Sequence, residues 1–135
     1  MSQSEPLNAS DVSASIAEIE REFNRLQREI RLVVQSRLSH FAGRSMGSLE
    51  QNQALVSSIH RLLENHGLRV RCNECGHPAI LRVSPRSGAA DGAFVFDHTI
   101  DGRRTFHGGR GSMPEIVLIA KPPRKTSSPT NRAAG

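Results

Sequence analysis

The side chains best suited to chemistry are two cysteines and six histidines. Cys72 and Cys75, the only thiols, stand three positions apart in Arg71-Cys72-Asn73-Glu74-Cys75-Gly76. Thiols so close suit a metal or redox turn better than a staple between distant segments. A redox turn needs the first cysteine to open a helix, whose dipole lowers the thiol pKa. Here Gly76, Pro78 and an extended run follow, so a metal is the better reading. His60, His66 and His77 flank the turn in sequence, whereas His98 and His107 are placed by pairing. Asp101-Gly102 is a two-residue hairpin signal, since both central positions need positive φ. Closing the chain there pairs Ile100 with Arg103, His98 with Thr105 and Phe96 with His107. His98 and His107 then become diagonal neighbours on one face, about 7–8 Å apart at the backbone. The sharpest candidate metal site is therefore Cys72, Cys75, His98 and His107, with His77, His60 and His66 as competing ligands.

The Cys-x-x-Cys-Gly segment resembles the knuckle of zinc ribbons, in which a tight turn aims two thiolates at one metal and glycine relieves the backbone after the second. The resemblance covers about six residues. It implies zinc, with histidine, carboxylate or water in place of the second cysteine pair of a ribbon. Phe96-Asp97-His98 also resembles the Asp-His segment of HNH nucleases, where histidine activates water beside a metal. The helix and asparagine that continue such a ββα-metal unit have no counterpart after His98. A metal-dependent nuclease is accordingly the third functional reading.

The elements that must position these residues form an α+β chain: an antiparallel helical hairpin over residues 11–67, then a small antiparallel, zinc-ribbon-like β domain over residues 68–120. Residues 1–10 and 121–135 are expected to be disordered, the latter as a basic tail with three prolines. Ser15 with Glu18 offers a capping box for the first helix, with Asp11 or Ser13 as alternative starts. From there Ile16, Ile19, Phe23, Leu26, Ile30 and Val33 recur in steps of three and four along one seam. Two glycines in Ala42 to Gly47 break the pattern, and Ser48 with Gln51 caps a second helix. Leu49, Leu55, Val56, Ile59, Leu62 and Leu63 line one of its faces, and Gly67-Leu68 ends it. The first helix outruns the second, so part of its seam lacks an intramolecular partner. A homodimer through helix one, as a coiled coil or four-helix bundle, would cover it; so would a fold-back of the β half. Strands are expected at 68–72, 79–84, 93–100, 103–108 and 116–120.

Charge separates the halves. Residues 1–67 carry 7 Arg and Lys against 8 Asp and Glu, whereas residues 68–135 carry 11 against 5. A positive field on one half favours an anionic partner such as nucleic acid. Arg71, Arg82, Arg86, Arg103, Arg104 and Arg110 are the candidate phosphate contacts, and Gly108, Gly109 and Gly111 could bring backbone N–H groups to an anion. No apolar run approaches the length of a membrane span, and the first ten residues lack a signal pattern, so the expected location is the cytoplasm. No nucleophile, base and anion-stabiliser set emerges, so a nucleic-acid-binding module precedes an enzyme. The alternative is a protein-interaction adaptor whose β domain is structural.

Overall fold

The computed structural model of the chain describes residues 5–86 and 88–123. Helix α1 spans Ala9–Leu38 and runs into a 3-10 turn at Ser39–Phe41; helix α2 spans Leu49–Asn65. Five strands follow: β1 (Leu68–Arg71), β2 (Pro78–Arg86), β3 (Ala89–Ile100), β4 (Arg103–Arg110) and β5 (Val117–Ala120). They form one antiparallel sheet in the order β4-β3-β2-β1-β5. The chain is therefore α+β. Among the described residues, no helix is long and apolar enough to cross a membrane.

Helix α1 begins six residues before Ser15, because Asn8 is a sufficient cap. Its side-chain oxygen accepts from the backbone N–H of Ser10 at 2.8 Å and of Asp11 at 3.3 Å, satisfying donors that the first turn leaves free. Disorder through residue 10 is thus corrected to helix from Ala9, with Asp11 in the first turn. Residues 1–4 and 124–135, and with the latter most of the expected tail, lie outside the described residues. Helix α2 starts where expected, the Ser48 hydroxyl accepting from Gln51 N at 3.2 Å.

The helices do not pair along their lengths as the expected hairpin. Helix α2 lies across β1, β2 and β3, while α1 meets the rest of the chain through β5 and the 3-10 turn. The reason is apolar area. Val56, Ile59 and Leu63 of α2 meet a broad sheet face of Leu68, Val70, Ala79, Leu81, Val83, Phe94 and Phe96, which covers more surface than a narrow, charge-flanked seam. Of α1, only Leu38 joins this buried cluster, with Val34 packed at its edge. One core thus runs through both halves, across the boundary expected at residue 67.

Polar contacts fix the links around this core. Asn52 is fully buried and bonded at both ends of its amide: Oδ1 accepts from Met46 N at 2.8 Å, and Nδ2 donates to Ser45 Oγ at 3.0 Å and the Asp91 carbonyl at 3.2 Å. The loop before α2 is thereby tied to the start of β3. Gly92, at φ 81°, lies so close beneath α2 that a β-carbon there would meet Leu49 Cδ1 at 2.6 Å and Val83 Cγ1 at 2.7 Å. Only glycine combines that left-handed backbone with that approach.

Candidate metal centre

The site is assembled by a turn and a hairpin. After β1 the chain reverses: Cys72 N donates to His77 O at 2.8 Å and Gly76 N to Cys72 O at 2.9 Å. This closure brings both thiols of the loop toward β3 and β4. Across from it, Asp101 and Gly102 take φ 51° and 78°, the two positive values a tight hairpin turn demands. The register is the expected one, with Ile100 opposite Arg103, His98 opposite Thr105 and Phe96 opposite His107. Alternation along the strands then places both imidazoles on one face.

Turn and hairpin meet. Cys75 Sγ lies 3.0 Å from His98 Nε2, and Cys72 Sγ lies 3.3 Å from His107 Nδ1. All four potential ligand atoms fall within 4.8 Å of one another. Zinc–ligand bonds of about 2.0–2.3 Å in a tetrahedron require ligand-to-ligand separations of roughly 3.3–3.8 Å, so the donors stand near coordination distance. Cys72 and His98 are buried, and Cys75 and His107 half-buried. The four residues could hold a metal ion.

Neighbouring groups orient the donors. His98 Nδ1 lies 2.8 Å from the Thr105 carbonyl; donation to that oxygen keeps the proton on Nδ1 and turns a lone pair on Nε2 toward Cys75, the usual support of a metal-binding imidazole. The Glu74 carboxylate, at the tip of the turn, accepts from Gly108 N at 2.6 Å. Asn73 Nδ2 donates to the Glu115 carbonyl at 2.9 Å. Burial pushes the Cys72 thiol up; the backbone N–H groups of Cys75 and Glu74 draw it back in part, and the Cys75 thiol raises it again. A buried thiol so disposed becomes a thiolate most readily against a cation.

Three other histidines lie outside the donor set. The His77 ring centre is 6.3 Å from that of His98 but outside the four-donor set. His66 Nδ1 lies 2.9 Å from the Leu62 carbonyl, and His60 sits 3.9 Å from Glu64. Both belong to the end of α2.

The six candidate arginines do not converge on one patch. Arg82 Nε donates to Asp97 Oδ2 at 2.5 Å, and Arg104 grips both oxygens of the same carboxylate at 3.1 and 2.9 Å. Arg86 donates to the Gly109 carbonyl at 2.9 Å, and the Arg71 guanidinium lies against Gly76. Arg103 and Arg110 are exposed at the two ends of β4. Gly108 N–H, a candidate anion donor, is taken by Glu74.

Asp97 is the functional-looking residue whose setting the sequence concealed. It is buried on the sheet face opposite His98, and hydrogen bonds from Arg104, then from Arg82, hold its carboxyl below the usual range against the opposing effect of burial. Its resemblance to a nuclease Asp-His segment therefore joins two neighbours that point apart. No helix follows His98 among the described residues; β4 and β5 do. Only the β2–β3 register, which sets Asp97 opposite Ile80 and Arg82 opposite Val95, would have revealed the Arg82 pairing.

Comparison of the chain with protein-family models, with curated proteins and with solved structures finds no match.

Proposed function

We propose that this chain is a zinc-stapled, zinc-ribbon-like binding module of the cytoplasm, and that the arginines of its sheet half engage the phosphate backbone of nucleic acid. The observation that carries the metal reading is the convergence of two thiols and two imidazoles within 4.8 Å. A sulfur and nitrogen donor set of that kind suits zinc over magnesium, calcium or manganese. Four protein donors leave no open position for a substrate or water, which favours a structural over a catalytic ion. Zinc there would hold the Cys72–Cys75 turn to the β3–β4 hairpin. Two free thiols suit a reducing compartment.

Support for an anionic partner is electrostatic. Half-exposed Arg82 and Arg104 share one carboxylate and so keep net positive charge, and Arg103 and Arg110 extend it along β4. Contacts to phosphates position a protein without reading sequence. Elemental analysis of the purified chain should give one zinc per chain, and a metal-free folded protein would refute the staple. Gel-shift titrations should show affinity falling steeply as salt rises, through counterion release; absence of binding at low salt would refute the nucleic-acid reading.

An interaction adaptor is the second reading. Its support is the apolar seam of α1, left exposed from Val12 to Val33. Co-purification of a stoichiometric protein without nucleic acid would favour it.

A further inference from the structure

Eight large apolar residues of α1 are exposed among the described residues, and all but Leu32 lie on one seam. Val12, Ile16, Ile19, Phe23, Leu26, Ile30 and Val33 are between 38% and 60% exposed. They follow one another in steps of 4, 3, 4, 3, 4 and 3, the heptad rhythm of a coiled coil. Ile16, Phe23 and Ile30 take the a positions, and Val12, Ile19, Leu26 and Val33 the d positions. The anchored end of the helix is its last turns: Gln35 Oε1 accepts from Leu118 N at 2.8 Å, and Leu38 is buried. The N-terminal two-thirds is an arm, and a bare helix in water gains little from propensity alone.

The charges beside the seam indicate the occupant. Its flanks hold Glu20 on one side, Glu22 and Glu29 on the other, and no basic residue. Arg25, on the outer surface, pairs with both Glu22 and Glu29 within its own helix. Arg25 thus offsets part of the flank charge within the helix. Two copies in parallel and in register set Ser15 beside Glu20 and Glu22 beside Gln27 along the arm, with no like-charge pair. In the two antiparallel registers that set a positions opposite d positions and bury six of the seven seam residues, glutamate faces glutamate: Glu20 and Glu22 each meet their own copies, or Glu22 meets Glu29. Like charges so placed are unfavourable. Val34, past the end of the arm, packs at the edge of the sheet core, so the pairing belongs to the helix N-terminal to it.

From the exposed heptad seam and its charge pattern, we infer that α1 pairs with α1 of a second copy as a parallel, in-register two-stranded coiled coil. Both sheet halves then lie at the same end of the pair. If they bind nucleic acid as proposed above, the two would engage one strand together, and linkage would raise the overall affinity. The pairing itself does not depend on the metal or on nucleic acid.

The test uses the full chain at tens of micromolar. Light scattering should give twice the chain mass, and Phe23→Asp should halve it while leaving zinc content and sheet circular dichroism unchanged. Mild oxidation of Leu26→Cys should yield a covalent dimer beyond that of the unaltered chain, and Ala14→Cys, on the outer surface, should not. A monomeric parent chain overturns the inference, as does a Phe23→Asp variant that keeps the parent's mass. A dimer that Leu26→Cys fails to cross-link overturns the parallel arrangement. A dimer without zinc would refute the metal reading and leave the pairing intact.

Discussion

The sheet half and the helical arm handle apolar surface in opposite ways. Around the sheet, Leu63, Phe94, Ile116 and their neighbours are enclosed by elements of the same chain. Side chains such as Asn52, Asp97 and Glu74 then lock the connections. Along α1 an equally regular apolar pattern faces outward, and nothing among the described residues clasps it. Periodicity therefore identifies which face is to be buried, but not the molecule that buries it.

The largest effect on this contrast should come from the metal donors. Cys72→Ser, or chelation of the parent protein, should abolish zinc binding and destabilise the sheet half by several kcal/mol, lowering Tm by roughly 10 °C or more. Thermal melts followed in the strand region of the circular dichroism spectrum check this; an unchanged Tm would mean that the turn and hairpin need no ion. The seam pairing of α1 should persist through that loss, which separates the two regions by experiment.

Next comes the packing under α2. Gly92→Ala would force a methyl group against Leu49 and Val83 at a left-handed backbone position, at a cost of roughly 2–4 kcal/mol in urea unfolding. A cost near zero would show that the interface between α2 and the sheet yields easily.

Asp97→Asn should cost less, about 1–2 kcal/mol at neutral pH, because its arginine partners are half in solvent. The difference from the parent protein should depend on pH. A carboxyl whose pKa is lowered in the folded state binds fewer protons there than in the unfolded chain. Its contribution is therefore complete above the ordinary carboxylate pKa and lost as pH falls through the lowered one. Unfolding curves for both proteins should converge in that acid range; parallel curves would remove Asp97 from the account.

The smallest effect belongs to the arm. Ile19→Asp should change the folding stability of the dilute, monomeric chain by no more than about 0.5 kcal/mol, since the residue touches no core. A large loss would place the seam inside the fold.

What could be read in the sequence depended on how locally each relation was encoded. A two-residue turn fixes its own register, so Asp101-Gly102 sufficed to bring His98 beside His107, and the thiol spacing supplied the other pair. The start of α1 was misplaced because Asn8 and Ser15 are both good caps, and only the alanines and Val12 between them extend the helix. The supposed hairpin failed for a different reason: the face of α2 carries no mark distinguishing helix from sheet as its partner. Arg82 was a candidate phosphate contact because its ion pair with Asp97 forms across strands whose register no two-residue turn dictates, whereas the pairing of Arg104 with Asp97 follows from the hairpin register itself.

The Gln35 side chain that meets Leu118 occupies a backbone donor on β5 that an added strand would use. At the opposite margin, β4 carries three arginines and an irregular pairing near Gly108, features that discourage edge-to-edge growth. If α1 pairs as inferred above, that association is insulated from association through the sheet. Chains so paired would gather in a defined number without seeding an open-ended fibre.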